Sequence, residues 1–323
     1  MASRNNGQES KDRLDKVLER YELKSKELYH LLRHKDDPDK LETLLEKHGL
    51  TEKELKDMVR SANVSVPRTA VLNTPKYHVR FGYFSDPHIG HERFREDGFD
   101  LMRKTFKREG VDFIVNPGDH IEGMCSIPGH IYELKDIGFS EQIKHAAQLY
   151  SSLGVPIFGI DGNHDQRYAK KNNSGIIVGE ELEARVKNYT HLGQDEGQIV
   201  LPTGHTIMLY HGADGTAYAD SYKIQKLIES FSGGEKPTIV FSGHYHKSLF
   251  LARRNIFGFE SGTLCGQTRF MRGKKIQAHE GFGIVDLYLP KEKEEMPRVG
   301  HEWIQLVELE YEPKKVVYVP LRK

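Results

Sequence analysis

Two hydrophobic periods divide the chain. From Lys11 to about Asn63, apolar residues recur at three and four spacing: Leu14, Val17, Leu18 and Tyr21 share one face, and Leu28, Leu31 and Leu32 share another. That spacing predicts short amphipathic helices. A third helix is predicted from Pro38 and Asp39, with Leu41, Leu44 and Leu45 inward and Gly49 as its stop. Thr51 and Glu54 have capping-box spacing and open a fourth, with Leu55, Met58 and Val59 on one face. Val64 to Pro75 carries two prolines and no period, and reads as a linker. Residues 1–66 are therefore expected to form a small helical domain, and 67–323 a second domain.

Beyond the linker the pattern becomes short apolar runs alternating with helical stretches. Val79–Phe84, Phe113–Val115, Ile157–Ile160, Thr206–Tyr210 and Thr238–Phe241 read as buried strands, while Phe99–Arg108 and Ser140–Leu153 have helical spacing. Such β-α-β alternation predicts an α/β fold built on an open, largely parallel sheet. From Leu249 onward the runs are β-rich, Phe282–Leu289 and Trp303–Tyr311 among them, which predicts a second sheet packed on the first.

Composition excludes several classes. Lysines plus arginines number 47 and aspartates plus glutamates 47, so no global positive field selects long nucleic acid. The two cysteines, Cys125 and Cys265, are too few for a disulfide framework and suit a reducing, cytoplasmic setting. Met1–Ser10 lacks the apolar run of a secretory signal, and no stretch has the length of a membrane span. Of the 17 histidines, His30, His34, His48, His145, His191 and His301 have no companion motif and are expected at the surface or at caps.

The residues suited to chemistry stand at the ends of the strands. Asp86-Pro87-His88, Gly118-Asp119, Gly162-Asn163-His164-Asp165, His211 and His244-Tyr245-His246 each come just after an apolar run. Ligands therefore gather at the carboxyl ends of strands, the usual crevice of open α/β sheets. Oxygen and imidazole donors suit hard divalent ions, and a close pair of ions needs a bridging carboxylate, for which Asp119 is the natural choice. Asp86 with His88, and His244 with His246, are two residues apart, so an extended strand end would project each pair to one side. Asn163 adds a neutral oxygen that keeps the site open to an anionic phosphate. His211 completes the set.

His164 is not needed for metal and can face substrate as a general acid, oriented by either Glu122 or Asp165. The nucleophile would be a hydroxide bridging two ions, attacking phosphorus in line.

The ordered set resembles the calcineurin-like metallophosphoesterase superfamily over Tyr77 to about Gly266. The resemblance implies a four-layer α-β-β-α sandwich and a dinuclear centre of two divalent ions, manganese first, zinc or iron next. It implies one ion held by Asp86, His88, Asp119 and His246, the other by Asp119, Asn163, His211 and His244, and His164 as acid. Phosphoprotein phosphatases of this superfamily follow the bridging aspartate with an arginine. Here the run Gly118-Asp119-His120-Ile121-Glu122-Gly123 has none, and Glu122 stands where those enzymes place the acid that orients the histidine. Gly118–Gln142, with Ile127-Pro128-Gly129 inside it, is similar to the exonuclease subunit of archaeal D-family DNA polymerase, and more loosely to double-strand-break repair nucleases.

The expected function is a metal-dependent phosphodiesterase, foremost a nuclease acting on DNA or RNA; the alternative is a phosphoesterase for nucleotides or cyclic nucleotides. A scaffold with a lapsed metal site is disfavoured by the intact ligand set. Arg253, Arg254, Arg269, Arg272, Lys274 and Lys275 are candidate contacts to backbone phosphates, with Phe270 among them as a candidate stacking surface. Leu41–Ala62 resembles a helix-turn-helix unit, but its balanced charge favours a cap, a protein-docking module or a dimer contact over DNA reading.

Overall fold

The computed structural model describes residue 51 and residues 67–74, 77–125, 128–171, 175–215, 217–292 and 295–306. The predicted N-terminal helices, and the end of the Trp303–Tyr311 run, lie outside the described residues. Along the chain come strands β1 (Thr69–Val71) and β2 (His78–Tyr83), helix α1 (Glu96–Glu109), β3 (Phe113–Asn116), α2 (Phe139–Ser151), β4 (Ile157–Asp161), α3 (Val178–Arg185), β5 (Tyr189–Gln194), β6 (Glu196–Val200) and β7 (Thr206–His211). They are followed by α4 (Tyr222–Ser230), β8 (Ile239–Gly243), β9 (Ser248–Arg253), β10 (Ile256–Ser261), the short helix α5 (Arg269–Gly273), β11 (Gly281–Tyr288) and β12 (Arg298–Gln305).

Among the described residues the strands form two mixed six-stranded sheets, ordered β12-β11-β2-β3-β4-β5 and β1-β6-β7-β8-β10-β9. β2 to β5 are parallel, as the β-α-β pattern predicts, with β11 and β12 added antiparallel at one edge. In the second sheet β7, β8 and β10 are parallel. The structure departs from two expectations. The late strands do not make a sheet of their own: β11 and β12 join the first sheet, and the second is built from β1 and β6 to β10. Thr69–Val71, inside the expected linker, is an edge strand paired with β6, its backbone donors taken up by the sheet despite the flanking Pro67 and Pro75.

Among the described residues, three apolar clusters bind these elements. Phe81, Val115, Ile160, Leu192, Ile207, Phe241, Phe259 and Val285 fill the space between the sheets. Phe99, Met102 and Phe106 of α1, Ile143 and Tyr150 of α2 and Leu182 of α3 cover the outer face of the first sheet. Ile224 and Ile228 of α4 cover Val240 and Ile256 on the outer face of the second. Aromatic contacts are dense within and between the sheets: Phe81 stacks on Phe113 at 4.7 Å in the first, Phe241 on Phe259 at 4.6 Å in the second, and Tyr83 meets Phe241 across them at 5.0 Å. Helix α1 ends at Gly110, which takes the left-handed conformation.

Candidate metal centre

β2, β3 and β4 of the first sheet and β7 and β8 of the second all end at one rim. Past their ends stand Asp86 and His88, Asp119, Asn163 and His164, His211, and His244 and His246, so donors converge from both sheets. The local backbone is not the extended strand end expected from sequence. Asp86, His88, Asp119, His244 and His246 have φ of 48°, 49°, 54°, 80° and 54°. Left-handed backbone is uncommon for residues with a Cβ and costs on the order of 1–3 kcal/mol each. It turns the chain sharply, so each side chain is aimed across the rim instead of along the strand. Neighbouring hydrogen bonds hold these turns: the Asp86 and His88 amides donate to the carbonyls of Gly118 and Asp119, both at 3.1 Å, and the His244 amide donates to Asp86 Oδ1 at 3.0 Å.

Two donor groups result. Asp86, His88 and His246 form one, with His246 Nε2 3.3 Å from Asp86 Oδ1 and 3.1 Å from His88 Nε2. Asp119, His211 and His244 form the other, and Asn163 Oδ1 joins it 3.0 Å from His211 Nε2 and 2.7 Å from His244 Nδ1. Asp119 Oδ2 lies between them, 3.7 Å from His88 Nε2 and 3.4 Å from His211 Nε2.

Tautomers test whether cations fit. His211 Nδ1 donates to the Pro117 carbonyl at 2.7 Å, and His244 Nε2 donates to the Asp214 carbonyl at 2.9 Å. In neutral rings the opposite nitrogens then carry lone pairs, both aimed at Asn163 Oδ1. His88 likewise donates Nδ1 to Glu122 Oε2 at 2.9 Å, leaving a lone pair on Nε2. Acceptors converging on acceptors need protons or cations between them, and this donor set, imidazole, carboxylate and amide oxygen, is the one divalent ions take. The outward ring N–H bonds fix the tautomers as they do around bound metals.

Charges agree with that picture. Burial and the nearby His164 push the His88 imidazole down to about 4, so its ring is neutral. Burial opposes charge on His211, yet Asp119 outweighs it and raises that imidazole to about 10. Asp119 is itself held well below the usual carboxylate range, against burial, by His211 and His164.

Beside the first group sits a four-way junction on Glu122. Besides His88, its carboxylate accepts from His164 Nδ1 at 3.1 Å, His130 Nε2 at 2.7 Å and Arg167 Nη1 at 3.0 Å. Burial disfavours its charge, but His164 and the imidazole hydrogen bonds hold the carboxyl well below its ordinary range. Arg167 Nη2 lies 2.9 Å from His164 Nε2, so that ring is fixed at both nitrogens. Asp165, the other acid that sequence left open, turns away from His164: its oxygens accept from the backbone amides of His120, Ile121 and Gly162 at 3.1, 3.0 and 2.8 Å. Asp165 therefore braces the two turns after β3 and β4, and the carboxylate bonded to His164 is that of Glu122.

A family model for calcineurin-like phosphoesterases matches residues 79–265. The chain belongs to that family. It is 24% identical over 249 residues to the DNA polymerase II small subunit of Halobacterium salinarum, covering 65% of this chain and 48% of the relative. To the DNA polymerase II small subunit of Methanothermobacter thermautotrophicus it is 22% identical over 239 residues, covering 59% and 48%. The chain thus spans about half the length of the curated relatives it matches. Among solved structures, an archaeal phosphodiesterase aligns with a TM-score of 0.43 at 17% identity, over 71% of this chain and 100% of its own. A phosphoesterase from E. coli aligns at 0.39 and 13%, over 69% and 98%.

In this calcineurin-like phosphoesterase the sequence missed His130 and Arg167. Arg167 stands one helical turn after His164, where i+3 spacing could have flagged it. His130 had no such signal, since a loop brings it to Glu122. His191, expected at the surface, is buried beside Asp161 at 3.4 Å. A further buried group, His120, Asp161 and Asp165, has metal-like spacing but no free imidazole lone pair, because Tyr150 and Tyr189 hydroxyls bond His120 at 2.8 Å on both sides. No helix among the described residues is long and apolar enough to cross a membrane.

Proposed function

We propose that this chain is a dinuclear-metal-dependent phosphodiesterase that hydrolyses DNA or RNA, with His164 as general acid. The observation that carries the reading is the pair of donor groups sharing Asp119, with His164 held next to them by Glu122. Asp86, His88, Asp119 and His246 would hold one ion, and Asp119, Asn163, His211 and His244 the other. When bound, a pair of divalent ions, manganese first and zinc or iron next, supplies an activated water and neutralises phosphate charge.

The chain's own residues do the rest. His164 Nδ1 donates to Glu122, and the buried carboxylate favours the charged ring: burial works against the imidazolium, but Glu122 and Asp119 raise its pKa above the ordinary value. Nε2 accepts from Arg167 Nη2 here, so it would protonate a leaving alkoxide only once that guanidinium has turned to the phosphate and the ring has taken a second proton. Arg167, placed against that same nitrogen, offers a guanidinium to a phosphate oxygen. The polymer, rather than a nucleotide, is favoured by the polymerase small subunits among the relatives.

Purified full-length protein with manganese, offered single-stranded DNA, duplex DNA, RNA and bis-nitrophenyl phosphate, tests this. Cleavage of a polymer, lost in His164→Ala, is expected. Turnover of the small ester alone would replace the nuclease reading by the nucleotide phosphoesterase one, and no turnover of any ester would sink both.

A further inference from the structure

The cationic residues near the C-terminal strands separate into two sets. Arg253 pairs with Glu229 at 2.6 Å, and Arg254 donates to the carbonyls of Ile228 and Glu229, both at 2.9 Å. Both sit at the turn between β9 and β10. β10 runs parallel to β8, whose far end leads to His244, so this turn is at the rim opposite the metal centre. These arginines are engaged in holding the hairpin to α4, and they are withdrawn as phosphate contacts.

Arg272 is different. Together with Arg93, Gln267, Gln277, Ala278 and Glu280 it lines a cavity of about 260 Å³. Neither the Arg93 nor the Arg272 side chain has a hydrogen bond or ion pair among the described residues. Glu280, the acid in the wall, is taken up by Arg95, and one face of Gln267 by the Ile276 carbonyl at 2.7 Å. Two guanidinium groups and the Gln277 amide remain unmatched, a donor set for an anion with several oxygens.

The cavity is tied to the candidate metal centre by the backbone on both sides. The His279 amide donates to the carbonyl of His246 at 2.8 Å, and the His91 amide to that of His88 at 3.0 Å, while Gly266 N–H on the Arg93 carbonyl at 2.8 Å closes the wall. His279 and His91 are therefore backbone-bonded to His246 and His88, two members of the donor group, and the cavity residues 277, 278, 280 and 93 lie within two positions of them. A phosphate in this cavity would be a neighbour of one lying on the metals.

We infer that Arg93 and Arg272 form a subsite for a backbone phosphate of a single-stranded polynucleotide, flanking the phosphodiester at the metal centre. The inference rests on the nuclease reading and adds the residues that distinguish a polymer from a mononucleotide. A mononucleotide with its phosphate on the metals has no second phosphate to place there.

The test compares the full-length parent with Arg93→Ala/Arg272→Ala, and with Arg93→Lys/Arg272→Lys as a control that keeps the charge. Affinity for a labelled single-stranded oligonucleotide is measured in EDTA, where cleavage is blocked, across a salt series; affinity for adenosine monophosphate, the second ligand, is measured in manganese, since the metals hold its phosphate. Turnover of bis-nitrophenyl phosphate in manganese is measured separately. The alanine pair should bind the oligonucleotide about tenfold more weakly, with the salt slope reduced by about 1, the lysine pair falling between. Small-ester turnover and adenosine monophosphate affinity should stay at the parent's values. Unchanged oligonucleotide affinity and salt slope would overturn the subsite even if the parent cleaves DNA. Equal weakening for both ligands would make it a general anion site and overturn the flanking assignment. Arginine-dependent binding by a parent that cleaves no polymer would keep the subsite and sink the nuclease reading instead.

Discussion

His164 and Glu122 are joined twice: Nδ1 of His164 lies 3.1 Å from both the main-chain oxygen and the Oε2 of Glu122. The same Oε2 accepts from His88, so one carboxylate sets the tautomer of a candidate metal ligand and of the candidate acid. Glu122→Gln should therefore lower metal affinity about 10- to 100-fold and kcat for bis-nitrophenyl phosphate by a similar factor, with the fold intact. Metal titration and steady-state kinetics read the two effects, and a loss of neither would dismiss the junction as structural decoration.

Asp165 predicts the opposite profile. Its carboxylate serves three buried amides, and each donor left unmatched costs about 1–3 kcal/mol. Asp165→Ala should destabilise the protein by at least about 3 kcal/mol in denaturant unfolding. An inactive variant with parental stability would reinstate Asp165 as a catalytic group.

Metal uptake should release protons. In the metal-free chain Asp119 lifts His211 to about 10, so at neutral pH the ring carries a proton that a cation must displace. Apparent metal affinity should rise about tenfold per pH unit until pH nears that value. The sign for folding is the reverse: this raised pKa stabilises the metal-free fold below the unfolded imidazole value of about 6.5, and the contribution is lost as pH rises through about 10. Calorimetry in buffers of different ionisation heat checks the release, and a null result at pH 7 contradicts it.

Gly162 has a packing role that its chemistry hides. A Cβ there would strike Asp119 Oδ1 and come within 2.6 Å of Cε1 of His211. Neither can retreat, since both are buried. Gly162→Ala should reduce the bound metal from two ions to at most one, measured by elemental analysis after dialysis. Full loading in that variant would place the bridge elsewhere.

Much of this was legible in the sequence because parallel strands buried on both faces leave continuous apolar runs, and the ligands stand directly after them. The α/β class, helices α1 and α2 and the assembly of Asp86, His88, Asp119, Asn163, His211, His244 and His246 at one rim follow from that grammar. Sheet membership did not: β11 and β12 carry the same alternation whichever sheet they join, and only long-range pairing decides. Backbone sign was equally hidden, since nothing in Asp-Pro-His or His-Tyr-His announces a positive φ. His130 escaped because the contact with Glu122 depends on the path of a loop.

The two donor groups draw on different sheets at once. Asp86 and His88 follow β2 while His246 follows β8, and Asp119 and Asn163 follow β3 and β4 while His211 and His244 belong to β7 and the turn after β8. A cation in either group would act as a rivet through the sandwich, adding to the hydrogen bonds, such as His244 N–H to Asp86 and His211 Nδ1–H to the Pro117 carbonyl, that join the two layers at this rim. Loading both positions should then couple the unfolding of the sheets, so that heat opens them as one unit and removal of metal lets the rim part first.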